Sequence, residues 1–300
     1  MHPQFRRPRL LIIGAGDVAQ RALPQLRQRF RIFALCRQPQ QKPALRQAGI
    51  VPVTGDLDRL RSLSRIGKLA AQAVLHTAPP PLSGNLDPRT GHLIAAMQKG
   101  GIIPRQWVYI STSGVYGDAK GTHITETFPT RPSTDRARRR LDAEGRLRRL
   151  AIRRGVSLRI LRAPGIYAAD RLPLDRLRQG TPLAHAAEDS YSNHIHADDL
   201  AGMCVAALRA RGGIRCYHAT DNQALPVGEY FDALADHFHL PRAPRVSREV
   251  LQASVSPALW SFLRESRQLD NHRLSELGYR LKYPTIYSLL TTLCDSAAVG

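Results

Sequence analysis

Lysine is nearly missing from this 300-residue chain. Only Lys42, Lys68, Lys99, Lys120 and Lys282 occur, so almost all of its 44 basic residues are arginine. Against 24 acidic residues they give a formal net charge of +20. Such a bias follows the codon composition of a genome as readily as a binding surface, and the arginines are spread out, with one dense cluster from Arg136 to Arg154. No nucleic-acid partner is expected as the main function, whereas attraction of small anions follows from the charge alone. Cysteine is scarce as well. Cys36, Cys204, Cys216 and Cys294 form no CxxC pair, which argues against a disulfide framework. Long apolar runs are absent: Leu10 to Ala15 is far too short to span a membrane. That run passes straight into a glycine turn, unlike a secretion signal, so a cytoplasmic protein with free thiols and no membrane partner is expected. No metal site is expected either, because histidines such as His194 and His196 lack a partner set at ligand spacing.

What is present points to a folded α/β protein. With 43% hydrophobic and 23% charged residues the chain can bury a core. Its length suits one large α/β domain, or a nucleotide domain with a smaller companion. Short apolar runs at Arg9–Ile13, Arg31–Cys36, Gly49–Thr54, Ala73–Thr77, Gln106–Ser111 and Val156–Leu161 read as strands. Helical stretches separate them: one to about Gln28, with Pro24 as an awkward member, one from Thr90 to Lys99, and a charged one from Thr134 to Arg154. In the last, Asp142/Arg146 and Glu144/Arg148 are acid-first i, i+4 pairs. Strands alternating with helices predict right-handed crossovers, hence a doubly wound parallel sheet of Rossmann type. Further helices are predicted over Leu200–Arg209, capped by Asp198 or Asp199, over Pro226–Phe238 and near Pro257–Leu263.

The first strand runs into Gly14-x-Gly16-x-x-Ala19, which opens a helix, and that context gives the glycines a meaning. Gly14 permits the tight turn, Gly16 lets a diphosphate approach backbone amides at the helix N-terminus, and Ala19 lets helix and strand pack closely. Gly14, Gly16, Asp17, Val18 and Ala19 are thus the candidate cofactor turn. Past the second strand, where an NAD site carries a carboxylate for the ribose, stands Arg37. A guanidinium pairs with a 2′-phosphate, so NADP is preferred to NAD. Asp56, after the third strand, is a candidate partner of the adenine amino group. His76, Thr77 and Ala78 end the fourth strand, on the sheet edge where open α/β folds bind ligands.

The segment Trp107-Val-Tyr-Ile-Ser-Thr-Ser-Gly-Val-Tyr-Gly117 resembles the extended short-chain dehydrogenase/reductase family, the NAD-dependent epimerase/dehydratase group, and its atypical members. Gly14-Ala-Gly16, Arg162-Ala-Pro-Gly-Ile-Tyr167 and Asn193-His-Ile-His-Ala-Asp-Asp-Leu200 fit the same pattern in order. Near the end Asn271, Leu277-Gly278 and Tyr283-Pro284 resemble the tail of the atypical subgroup. The resemblance implies a dinucleotide-binding part at 8–166 and 193–222, and a smaller, mostly C-terminal substrate-binding region at 167–192 and 223–290. It implies Ser113 as the hydroxyl that binds the substrate oxygen, with Ser111 and Thr112 in support, and a possible homodimer through the 134–154 helix.

In one respect the chain departs from the family. The family's Tyr and Lys, four residues apart on that helix, fall here on Arg136 and Arg140. Arg140 keeps positive charge near the cofactor ribose, so it stays a candidate for both cofactor binding and catalysis. Arg136 cannot replace a phenol, because a guanidinium does not release its proton near neutral pH. Three explanations are open. Tyr116 or Tyr167, with Tyr191 as a weaker third, takes over the proton relay; protons come from water or a histidine such as His194; or the protein binds NADP without turnover. The main expectation is an NAD(P)-dependent oxidoreductase or epimerase acting on a small molecule. The alternatives are a non-catalytic NADP-binding regulator or scaffold, and a nucleic-acid binder.

Overall fold

The computed structural model describes residues 7–297. Seven parallel strands form its main sheet: β1 (Arg9–Ile13), β2 (Arg31–Cys36), β3 (Val51–Thr54), β4 (Ala73–His76), β5 (Gln106–Thr112), β6 (Ser157–Ala163) and β7 (Ile214–His218). Their order across the sheet is β7-β6-β5-β4-β1-β2-β3. The sheet is therefore doubly wound, and its order reverses between β1 and β4. Strand periodicity builds the two layers. Leu10 and Ile12 of β1 face one core, Leu11 and Ile13 the other, and all four are completely buried. Such a strand has no solvent face, which is why it reads as an unbroken apolar run.

Helices α1 (Asp17–Arg29) and α4 (Ala197–Ala207) cover one face. The other is covered by α2 (Pro88–Lys99) and α3 (Asp135–Arg154). Helix α1 runs through Pro24 without a break, and Pro24 lies on its exposed side, where water can serve the carbonyl that proline frees. Thr134 caps α3 by accepting from the Ala137 amide at 3.2 Å, and Gly155 closes it with a left-handed φ of 62°. The cap of α4 differs from the expected Asp198 or Asp199. It is His196, whose ring nitrogen accepts from the Asp198 amide at 3.2 Å. Asp199 instead faces inward and holds the chain's tail, accepting from the Tyr279 hydroxyl at 2.8 Å and the Tyr283 amide at 2.9 Å.

A separate apolar core gathers Tyr167, Leu177 and Leu183 with Tyr230, Phe231 and Leu289. It is built by α5 (Val227–His237), α6 (Arg248–Ser254), α7 (Pro257–Leu263) and α8 (Ile286–Ala297) with short strand pairs. The segment carrying Leu274 and Leu277 turns back to the α1 and α4 side of the main sheet. No helix among the described residues is long and apolar enough to cross a membrane.

Candidate functional site

Two structures meet at the C-terminal edge of the sheet, the glycine turn after β1 and a cavity beyond β5. Gly14 has φ 95°, and a β-carbon on it would come within 2.6 Å of the Ala78 amide nitrogen. The close approach locks the turn to the end of β4, where the Thr77 and Ala78 amides both donate to the Ile13 carbonyl at 2.8 Å. Gly16 is the opposite case. It is the N-cap of α1, no side chain caps its amides, and a β-carbon there would meet nothing within 4 Å. Uncapped amides facing open space at the positive end of a 13-residue helix are an anion site in waiting, so a dinucleotide diphosphate fits. Asp17 does not spoil it, because Arg21 and Arg171 both hold its carboxylate. Val18 and Ala19 complete the turn, Ala19 inside the core and Val18 half-buried beside it.

Arg37 is exposed just past β2. Its charge helps keep the Asp58 carboxyl below the ordinary range, behind the larger effect of Arg89, which grips Asp58 at 2.7 Å. Asp56 takes the Asp58 amide at 3.0 Å with one oxygen and is half-buried. His76 is placed otherwise than a groove residue. It lies in the interior, 2% exposed, edge-on to Tyr109 and 3.1 Å from the Thr90 hydroxyl. Burial holds its pKa down to about 3, with the nearby Arg140 charge adding to the effect, so its ring is neutral. Thr77 spends its hydroxyl on the Ile13 and Gly14 carbonyls.

The cavity has a volume of about 670 Å³ and is lined by the ends of β5 and β6, by α3, and by segments of the second core. Ser113 and Arg140 both lie on its wall. One guanidinium nitrogen of Arg140 donates to the Ile110 carbonyl at 2.9 Å, the Ala78 carbonyl at 3.3 Å and the Tyr109 hydroxyl at 3.2 Å. The strand ends thus fix a permanent positive charge on the wall that also carries Ser113. Arg136 is turned onto the Phe262 ring, 3.9 Å from its centre.

The phenols are placed differently. Tyr116 is not on the cavity wall, which corrects its candidacy as proton donor. It is 1% exposed, accepts from Arg162 at 2.7 Å, and its oxygen is 2.5 Å from His218 Nε2. His218 Nδ1 faces the Asp270 carbonyl at 2.7 Å and must carry the ring proton, leaving Nε2 to accept from Tyr116. The Tyr116 proton is therefore committed inside the protein. Arg162 continues the network to Glu144, at 2.7 and 3.1 Å, and Glu144 accepts from Ser111 at 2.6 Å. Ser111 lines the cavity but spends its hydroxyl on Glu144, and Thr112 accepts the Gly114 amide at 3.2 Å, shaping the turn that presents Ser113.

Tyr167 does line the cavity, but its hydroxyl is sealed from solvent and lacks a well-formed hydrogen bond. Burial pushes its pKa up, with Asp221 and Asp199 adding to the effect, so the phenol stays protonated. His194, stacked on Tyr230 with ring centres 4.0 Å apart, is held neutral by burial with a pKa of about 4. Tyr191 is half-buried on the same wall.

Asp221, unnoticed in the sequence, sits beside Tyr167. Burial is the main reason its carboxyl is raised to about 8, and the Asp199 charge works the same way. Its folded pKa lies above its ordinary value of 3.8, so its contribution to stability is complete below that value and is lost as pH rises to about 8. Asp221→Asn, which can still accept from the Gln223 amide, should gain on wild type in Tm steadily as pH rises from about 4 to about 9. A constant difference between the two pH values would mean that Asp221 is already ionised in the fold.

No group of histidine, cysteine and carboxylate side chains among the described residues could hold a metal ion. No family model matches the chain. A curated relative, Uncharacterized protein y4nG of Sinorhizobium fredii (strain NBRC 101917 / NGR234), is 28% identical over 114 residues, 36% of this chain. That match spans 28% of the relative's length. A solved conserved protein of unknown function from Silicibacter pomeroyi DSS is 28% identical, covering 96% of this chain and 99% of that one, with a TM-score of 0.77. A candidate NAD-dependent epimerase/dehydratase from Methylobacillus flagellatus is 24% identical, covers 97% and 99%, and has a TM-score of 0.72. UDP-glucose 4-epimerase from Thermotoga maritima, solved with UDP-glucose, is 16% identical, covers 94% and 96%, and has a TM-score of 0.74. The chain has the fold of the extended short-chain dehydrogenase/reductases, the NAD-dependent epimerase/dehydratase group.

Proposed function

We propose that the chain binds a nicotinamide dinucleotide, NADP in preference to NAD, along the C-terminal edge of the sheet. It acts there as an oxidoreductase or epimerase on a carbonyl, alcohol or sugar-nucleotide substrate held in the adjoining cavity. The carrying observation is the contrast between the two glycines: Gly14 is wedged against Ala78, while Gly16 opens onto free space at the uncapped N-terminus of α1. Solved neighbours add support, since UDP-glucose 4-epimerase from Thermus thermophilus was crystallised with NAD.

When bound, a nicotinamide dinucleotide supplies hydride transfer. The α1 amides receive its diphosphate, Arg37 the 2′-phosphate, and Asp56 the adenine amino group. Ser113 donates to the substrate oxygen as negative charge grows there, and Arg140 holds fixed positive charge nearby and contacts ribose hydroxyls. Neither Arg140 nor Arg136 moves a proton. Proton exchange is left to water or to Tyr191 on the cavity wall, because the Tyr116 and Tyr167 hydroxyls are sealed.

The sealed phenols also favour a second reading, a NADP-binding regulator or scaffold without turnover. NADPH consumption with any compound of a carbonyl panel supports the enzyme; tight cofactor binding with no turnover supports the regulator. Cofactor choice has its own test. Arg37→Ala should weaken NADPH binding by about 10- to 100-fold and leave NADH binding within about 2-fold, read by calorimetry. Equal losses for both nucleotides would remove Arg37 from the site.

A further inference from the structure

The cavity wall carries six arginines, Arg136, Arg139, Arg140, Arg171, Arg176 and Arg267, against one carboxylate, Glu265. That carboxylate is taken, since it pairs with Arg267 at 2.8 Å and accepts from Ser133. Four of the arginines hydrogen-bond within the protein: Arg140 is held by carbonyls, Arg139 donates to the Gly84 carbonyl, Arg171 pairs with Asp17 and Arg267 with Glu265. Arg136 lies on Phe262 and has the Glu265 charge nearby.

Arg176 is the exception. It projects from the turn at Leu174–Arg178, with its guanidinium 4.4 Å from the centre of the Phe231 ring. Its Nε and one Nη are sealed from solvent and make no hydrogen bond, and no carboxylate pairs with it among the described residues. Burial pushes its pKa down, opposed only by the Tyr230 phenol. A ring face offsets part of the cost of desolvating a cation, but leaves its donors unmet. A half-buried, unpaired guanidinium is costly in a finished protein and sensible where its counter-ion arrives with a ligand.

We propose that the cavity takes a substrate bearing an oxyanion, a carboxylate or phosphate, which pairs with Arg176 beside Phe231, Tyr230 and His194. The proposal rests on the reading of this cavity as the substrate site, and it narrows the substrate to an anionic carbonyl or alcohol compound. Ser113 and Arg140 lie at the β5 end of the cavity, so the oxyanion is held by a different element from the one that holds the reacting oxygen.

The test uses the full chain and two probes, inorganic phosphate and citrate, titrated by calorimetry at ionic strength matched with chloride. Wild type should bind at least one of them, and Arg176→Gln should bind it about 10-fold or more weakly. The probe that depends on Arg176 tells phosphate from carboxylate. Arg176→Gln should also have a Tm no lower than wild type without ligand, because it removes an uncompensated cation. Equal binding by variant and wild type, or no binding of either probe by wild type, overturns the proposal, as does a fall in Tm with no change in anion binding. NADPH titration of the same variant separates this proposal from the dinucleotide reading. It should be unchanged whether or not Arg176 binds anions, and it fails in wild type only if the glycine turn is not a cofactor site.

Discussion

Gly16→Asp should abolish measurable dinucleotide binding, raising Kd by about 100-fold or more, while leaving the fold as stable as before or slightly more so. The two effects have separate causes. Gly16 has φ −80° and ψ −169°, which any residue adopts, and nothing stands within 4 Å of a new β-carbon. Aspartate is moreover a favoured N-cap, able to accept from the free amides of the first turn. The same acceptance blocks those amides and puts a negative charge where the diphosphate would sit. Gly14→Ala is the counterpart. Its β-carbon would press on Ala78 backbone atoms at 2.6 and 2.7 Å from a left-handed φ, so stability should fall by about 2–4 kcal/mol. Thermal melts and NADPH titration on both variants read the difference. If Gly16→Asp destabilises as Gly14→Ala does, or binds NADPH as wild type does, the space above Gly16 is not the diphosphate site.

Glu144→Leu should cost about 3–5 kcal/mol in urea unfolding, among the largest single losses outside the apolar core. Glu144 is 1% exposed and faces Arg162, itself 4% exposed, at 2.7 Å. Removing the carboxylate strands a buried guanidinium and leaves the Ser111 hydroxyl without its acceptor. The double variant Glu144→Leu, Arg162→Met removes both charges and should recover a large part of that loss. Additive losses from the two single variants would mean that the ion pair is not what holds β6 to α3. The network also explains why Tyr116 is fixed: Arg162 joins Glu144 to the Tyr116 hydroxyl, and His218 takes the phenol proton.

Much of this architecture was legible in the sequence because its signals are local. The β1 run, the glycine spacing and the apolar stretches at β2, β4 and β5 each declare a buried parallel strand or its turn within a few residues. Strand β7 escaped notice. Ile214–His218 is an edge strand that mixes an exposed Arg215 with a buried His218, so it has neither an unbroken apolar run nor clean alternation. The pair Gly212-Gly213 before it was a turn signal that could have raised the question. The His196 cap was hidden because the neighbouring aspartates are the commoner cap residues.

The site was half legible. The motifs put Ser113 and Arg140 on one cavity wall, but whether a tyrosine faces ligand or protein depends on partners far along the chain. Arg162 and His218 are 46 and 102 residues from Tyr116, and no local pattern announces them. The special position of Arg176 was invisible for the same reason. One arginine among 44 basic residues stands out only when the absence of a carboxylate around it can be seen.

The central claim is that the turn after β1 grips a dinucleotide diphosphate. Calorimetric titration of the purified full chain with NADPH and with NADH tests it most directly. Saturable heat with one-to-one stoichiometry, and a lower Kd for NADPH, is the predicted result; no saturable heat with either nucleotide contradicts it.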